Sequence, residues 1–399
     1  MKRLISALML IVAVFSSHKD LRSQSPNFLW VEQGGSSNNN DWCRSIATGR
    51  FGNCIAVGRH IAPATFGSFT LTDLAKDMFI VKYDGNGRAL WARNAGGFGI
   101  DEAYDVTTDA SGNIIVTGKF WEQAGFEGVT LDGGRGSGWN VFLVKYNESG
   151  QALWAQQAVG RGTDEGDAVA IDKAGNVIIA GAFEDTVRFN QTALVSAGLS
   201  DIFIAKYDTS GQLLWLQQVG GASVETGGDV ATDSAGNILV AGTFRKTITI
   251  GDTTLAAIDN VDDVFIAKYD THGRLLWARR DGGANLDRAK GIAVDGSGSA
   301  LLTGAFAAMA IFGNDTLRSA SPNFDLFVAK YDPAGKVRWA ERAGGNLNDE
   351  GASIALDPHG NSVIAGFFRA RPLSAASRAT TSDPTKARMT CSLLNWRAA

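Results

Sequence analysis

Three ladders of polar residues recur along the chain, and each could do chemistry. The first is Asp109, Asp172, Asp233, Asp295 and Asp357, each opening an Asp-x-x-Gly turn. Such carboxylates could ligate Ca²⁺, but each turn supplies one, and Ca²⁺ takes about six to eight oxygens. Capping of each turn by its own Asp side chain is the expectation instead. The second ladder is Lys82, Lys145, Lys206, Lys268 and Lys330. The third is acidic: Asp101–Glu102, Asp164–Glu165, Glu225, Asp287 and Asp349–Glu350. Together they predict ion pairs within or between repeats. A ladder present in every repeat reads as structure, not as one active site. Adjacent acids such as Asp164–Glu165 in an extended segment point to opposite faces. That suits two-carboxylate glycoside hydrolysis poorly, although acids from different repeats could converge.

Other chemistry is sparse. Of the four histidines, His18 lies near the N-terminus, His60 follows a strand, and His272 and His359 sit in turn motifs. No nucleophile elbow, zinc motif or phosphate-binding loop is present. The sequence therefore names no catalytic residue, no metal ligand set and no cofactor. On a repeat scaffold, function is expected where one repeat breaks the pattern in its loops. The clearest break is the insertion Asp132-Gly-Gly-Arg135-Gly-Ser-Gly-Trp139, accompanied by Trp121 and Glu122; Arg245-Lys246 is a second. Trp and Arg are typical binding anchors. Trp121, Arg135 and Trp139 are therefore the candidate ligand-binding residues, with a protein or glycan as the expected partner.

The elements that carry these residues come from one unit written about six times. Trp91, Trp154, Trp215, Trp277 and Trp339 recur about every 62 residues, and so do Tyr83, Tyr146, Tyr207, Tyr269 and Tyr331. Phe265-Ile-Ala-Lys-Tyr269 places Phe, Ala and Tyr on one side and Ile and Lys on the other, the period of a strand. Asp270-Thr-His-Gly273 and Asp233-Ser-Ala-Gly236 are hairpin turns. Each unit thus predicts four strands, A around 229–232, B at 238–244, C at 263–269 and D at 275–280. A small extra hairpin is expected between B and C, as in Thr247–Leu255. Four antiparallel strands per repeat is the pattern of a β-propeller blade. A parallel β-helix is the rival, but its turns are shorter and lack this hairpin pattern.

The segments Asp263-Val-Phe-Ile-Ala-Lys-Tyr-Asp-Thr-His-Gly-Arg-Leu-Leu-Trp277 and Asp233-Ser-Ala-Gly-Asn-Ile-Leu-Val-Ala-Gly-Thr-Phe244 resemble the bacterial β-propeller repeat family labelled SBBP. The resemblance covers residues 27–369. It implies an exported or cell-surface propeller and does not itself imply a catalytic activity. The expected fold is all-β, a propeller of about six four-stranded blades whose last blade is incomplete. A seven-bladed ring or an open β-repeat array is the alternative. A lone D strand at Phe28-Leu29-Trp30 would complete the sixth blade.

Composition fits an exported, soluble repeat protein. Glycine is frequent, 48 in 399 residues, proline rare at 7, and the hydrophobic share is 45%. A net charge of −4 leaves no broad footprint for nucleic acid. Lys2-Arg3, an apolar run from Leu4 to Phe15, then Ser16-Ser17 predict a signal peptide over residues 1–17, with Val14 and Ser16 at the cleavage positions. The run is too short to span a membrane. A secreted or cell-surface monomer without an integral membrane segment is expected. Cys43 and Cys54 lie on strands joined by the turn at 49–52. If Thr48 faces Asn53, Cys54 faces Ala47, and the offset from Cys43 is about 13 Å, so both thiols stay free.

The tail, residues 370–399, has no strand period. Read with each codon starting at the third base of the written one, Met389–Trp396 can spell Asp-Val-Phe-Ile-Ala-Lys-Leu, against Asp263-Val-Phe-Ile-Ala-Lys-Tyr269. Leu373–Arg378 can likewise become Phe-Gly-Gly-Val-Thr, close to Phe126-Glu-Gly-Val-Thr130. A frameshift between about Arg369 and Leu373 is expected, with the true third strand of the last blade hidden behind it.

Overall fold

The alternation in strand C separates two faces, and both are covered. In the computed structural model, Val264 and Ile266 on one face of their strand share a core with Phe327, Ala329 and Tyr331 on the opposite face of the next repeat's C strand. Met78 and Ile80 meet Phe142, Val144 and Tyr146 in the same way. Every C strand from Asp201–Tyr207 onward is therefore almost wholly buried. Each buried aliphatic or aromatic side chain contributes roughly 1.5–3 kcal/mol. This is how stacked repeats supply a core that one repeat lacks.

The structure describes residues 8–10, 30, 32–36, 41–61, 63–72, 76–97, 99–356, 362–368 and 390–391. They fall into two compact units, Met1–Val169 with Val187–Ala193, and Ala170–Thr186 with Leu194–Ala399. The first unit holds two complete antiparallel A–D sheets, Trp42–Thr48, Cys54–Ile61, Lys76–Tyr83, Ala89–Ala95 and then Glu102–Thr108, Ile114–Trp121, Trp139–Tyr146, Ala152–Gly160. The second holds B, C and D at Val177–Phe183, Asp201–Tyr207 and Leu213–Gly221. It also holds two complete sheets, spanning Thr226–Asp281 and Asp287–Ala343, and an A–B pair at Asp349–Leu356 and Ser362–Phe368. The architecture is all-β, as the repeat pattern predicts.

The expected B–C hairpin exists, and its role is larger than expected. Thr247–Ile250 pairs with Thr253–Ala256, and also with the preceding repeat's D strand, Val219 facing Ile250. Ala158 faces Phe189, and Gly34 faces Phe66, in the same manner. Among the described residues three hairpins thus pair with the preceding D strand, and two more, at 123–132 and 309–318, touch it through the single bridges Gly125–Gly96 and Ile311–Gly282. This explains the glycine pair after strand D. A Cβ on Gly221 would lie 1.9 Å from the Thr247 carbonyl oxygen, and one on Gly283 2.0 Å from that of Met309. The pair is required by close approach of backbones.

The turns and ladders resolve cleanly. Asp172 Oδ1 accepts from the amides of Ala174 and Asn176, and its Oδ2 accepts from Asn176 Nδ2 and, at 2.8 Å, from Lys206 Nζ. Lys145–Asp109, Lys268–Asp233 and Lys330–Asp295 repeat the ion pair. Burial works against ionisation of Asp172, but the bonds from Lys206 and Asn176 outweigh it and hold its carboxyl below the ordinary range. Lys82 has no turn Asp in its repeat and donates to the Glu148 carbonyl. Asp357 and His359 lie outside the described residues. The recurrent Trp of strand D reaches forward: Trp91, Trp215 and Trp277 donate to Glu148, Thr271 and Pro333 carbonyls in the next repeat's C–D turn. The glycine of that turn lies against the indole face.

The acidic ladder is separate from the lysines. Asp101 accepts from the Gly97 and Trp121 amides, Asp287 from Gly283, Glu225 from Gly221. Burial raises these carboxyls. Asp101 stands at about 6, Glu225 at about 7 with Asp201 adding to the rise, and Asp287 at about 8 with Asp263 adding to it. A carboxyl raised in the folded state contributes stability below its unfolded value, about 4, which is lost as pH rises through the folded value. The turn aspartates, held low, act oppositely and lose their contribution in acid. The melting temperature is therefore expected to peak near pH 4 and to fall between about pH 4 and 8. Thermal melts across pH 4–9 check this, and Asp287→Asn should flatten the alkaline limb. A stability that rises through that window would contradict it.

Cys43 and Cys54 are free, as expected. The register differs by one: Thr48 faces Cys54, and Cys43 faces Gly58, because the turn takes five residues with Phe51 at φ +60°. The residues expected to form the signal peptide are mostly outside the described set. Leu8–Leu10 pairs with Glu32–Gly35. Phe28 and Leu29 are also outside it, and Trp30 donates to the Gly85 carbonyl as a D-strand Trp does. Thr390–Cys391 pairs in parallel with Val363 and Ile364, where the complete sheets place an antiparallel C strand.

Candidate ligand-binding site

Two of the three residues singled out from sequence meet. Trp121 closes strand B, Trp139 opens strand C, and the two are cross-strand partners. Their rings stand edge to face at 5.1 Å. Trp121 is fixed because its amide donates to Asp101, and Trp139 because its indole donates to the Ile100 carbonyl at 3.3 Å. Glu122 at φ +55° turns the chain out of strand B into the hairpin of Gln123–Phe126 and Val129–Asp132, which the insertion follows. Gly134, Gly136 and Gly138 there all have positive φ. Arg135 is exposed at the tip of this loop and is not brought to the tryptophans.

The residues that do join them were not foreseen. Lys119 Nζ lies 4.7 Å from the Trp139 ring centroid and 5.3 Å from that of Tyr104. Arg44 lies 5.3 Å from Tyr104 and 4.7 Å from Trp42, and Arg59 lies 4.5 Å from Trp42. Cations and rings thus alternate in one row across strands A and B of the first two repeats. Two carboxylates brace the row. Glu102, almost fully buried, accepts from Arg44 at 2.7 Å and faces Arg59 at 3.8 Å. Glu165 accepts from Lys119 at 2.9 Å. Each cation–ring contact contributes roughly 0.5–2 kcal/mol, depending on desolvation. Trp42 is 43% exposed, so the row opens to solvent at that end.

The arrangement offers aromatic faces flanked by cations. Burial, with the nearby charges of Glu165 and Glu102, pushes the Tyr104 phenol far above its ordinary value, so it is no base at neutral pH. Glu102 and Glu165 each bond a cation of the row, and Glu165 also accepts from the Tyr104 hydroxyl. Among the described residues, no three His, Cys, Asp or Glu side chains gather as a metal site. His60 is buried against Asn94 at 2.9 Å, and His272 lies in a C–D turn. A signal for the missed residues was present. The residue before the closing aromatic or His of strand B is Arg59 or Lys119 in the first two repeats, but Ala182, Thr243, Ala305 and Phe367 later.

Four-stranded antiparallel repeats, packed face to face and hooked by their B–C hairpins, define a β-propeller repeat protein. Residues 214–243 match the family model SBBP, described as Beta-propeller repeat. The chain is 25% identical over 431 aligned residues to an uncharacterized WD repeat-containing protein, L264, of Acanthamoeba polyphaga mimivirus, covering 87% of this chain and 31% of that protein. It is 27% identical to the regulatory protein FlaEY of Caulobacter vibrioides over 42% of this chain and 18% of that one. The chain thus spans less than a third of either relative. Among solved structures, a protein of unknown function from Bacteroides caccae aligns over 80% of this chain and 86% of its own, at TM-score 0.38 and 13% identity. The gluconolactonase XC5397 of Xanthomonas campestris aligns over 84% and 86%, at TM-score 0.38 and 10% identity. At these scores the likenesses bear on no activity. No helix among the described residues is long and apolar enough to cross a membrane.

Proposed function

We propose that this is an exported propeller of about six repeats that binds an acidic glycan without transforming it, through the row from Trp42 to Trp121. One observation carries the reading: the residues that break the repeat, scattered over about 100 positions, converge in a single cation–aromatic row. Aromatic faces suit sugar rings. Arg44, Arg59 and Lys119 outnumber the two carboxylates bonded to them, Glu102 and Glu165. The apolar run Leu4–Phe15 supports export, and the tail from 370 is read as out of frame, which the codons there decide.

Affinity electrophoresis tests the binding. Polygalacturonate in the gel is expected to retard the protein, less at high salt, and Trp139→Ala to weaken retention about thirtyfold, the scale of a central anchor. Equal retardation by uncharged galactan would replace the acidic ligand with a neutral one. No retardation by either would leave a protein as the ligand and overturn the glycan reading.

A further inference from the structure

Strand A carries a β-bulge at one fixed position in every repeat whose A–B register is defined. The register slips between Cys43 and Ser45, Ala103 and Asp105, Gly227 and Asp229, Ala289 and Gly291, and Gly351 and Ser353. The residue ejected is Arg44, Tyr104, Gly228, Lys290 or Ala352. The frame around it is nearly constant. The preceding residue is Cys, Ala or Gly, and the following one Ser, Asp or Gly. Opposite stands a strand B glycine that the bulge requires: a Cβ on Gly58, Gly118, Gly304 or Gly366 would lie 1.9–2.1 Å from a strand A carbonyl oxygen. Fixed frame and free side chain is how a bulge re-aims one residue at a site.

We infer that the bulge residue is the specificity-determining position of the repeat, with Arg44 selecting the ligand's acidic group and Tyr104 supplying its platform. This rests on the glycan reading above. In the first unit both bulge residues enter the row and lie 5.3 Å apart, from guanidinium carbon to ring centroid. In the second unit the same position holds Gly228 and Ala352, so the fold itself does not demand a large side chain there. Lys290 is the one charged bulge residue of that unit, and it faces Glu350 at 3.7 Å.

The test measures retention of the full chain by polygalacturonate and by uncharged galactan, together with the melting temperature. Arg44→Ala should cut the acidic-over-neutral preference at least tenfold while keeping retention by galactan, and Arg44→Lys should restore most of it. Tyr104→Gly should weaken retention by both polymers. Lys290→Ala should change neither retention nor melting temperature. A preference unchanged in Arg44→Ala, or lost equally in Lys290→Ala, overturns the inference while the glycan reading stands. A wild-type chain that neither polymer retards overturns both.

Discussion

Gly304→Ala is expected to destabilise the protein by about 3 kcal/mol or more, the upper range for overpacking a closed site. The added Cβ would stand 1.9 Å from the Arg288 carbonyl oxygen and 3.0 Å from Phe327. Neither neighbour yields cheaply. The carbonyl belongs to the backbone beside the bulge, and Phe327 is fully buried. Relief would require the bulge to open or strand B to shift its register. The melting temperature should fall by roughly 6–12 °C. Gly296→Ala is the matched control. A Cβ there meets nothing within 4 Å, so that variant should melt with the wild type or slightly above it. Similar melting of both variants would show that the bulge lacks the fixed geometry described here.

Lys206→Met should cost about 3–5 kcal/mol, because it strands a buried carboxylate. Lys206 and Asp172 are 2% and 4% exposed at the side chain. Lys206 also donates to the Thr271 carbonyl in the next repeat's turn. The methionine keeps the volume and loses both bonds. The double variant Lys206→Met/Asp172→Asn should recover much of the loss, since no charge is then left alone while the turn amides keep an acceptor. The single variant's penalty should also shrink as pH falls below about 4, where Asp172 can take a proton in place of its partner. Denaturant melts of both variants at pH 7 and pH 3.5 decide it. A double variant no more stable than the single one would place the cost in packing instead of charge.

The sequence showed whatever is local. Strand alternation in Phe265–Tyr269, Asp capping at Asp172 and Asp233, and positive φ at Gly236 and Gly273 depend on neighbours a few residues away, and all stand in the structure. What it hid are relations between distant backbones. The bulges at Arg44 and Tyr104 are mismatches of register between two strands, and alternation along one strand cannot display them. Gly221, after strand D, is set by Thr247, from the hairpin of the following repeat. The site was legible by half. Trp121 and Trp139 stood out beside an insertion, whereas Arg59 and Lys119 replace small residues inside regular strands and disturb no spacing. Arg135 stood out for the same reason as the tryptophans and is peripheral, since an inserted loop marks a departure without fixing where its tip points.

The hairpin that hooks onto the preceding D strand gives the array a polarity. Among the described residues a repeat can be both a donor, through its hairpin, and an acceptor, through its last strand, as the repeat ending in Leu213–Gly221 is. The copy unit in the gene and the sealed unit in space are therefore out of phase. Excision at the sequence boundary would leave one bare acceptor edge and one idle donor. Duplication of the same stretch in tandem would seal its own new joint without altering any existing one.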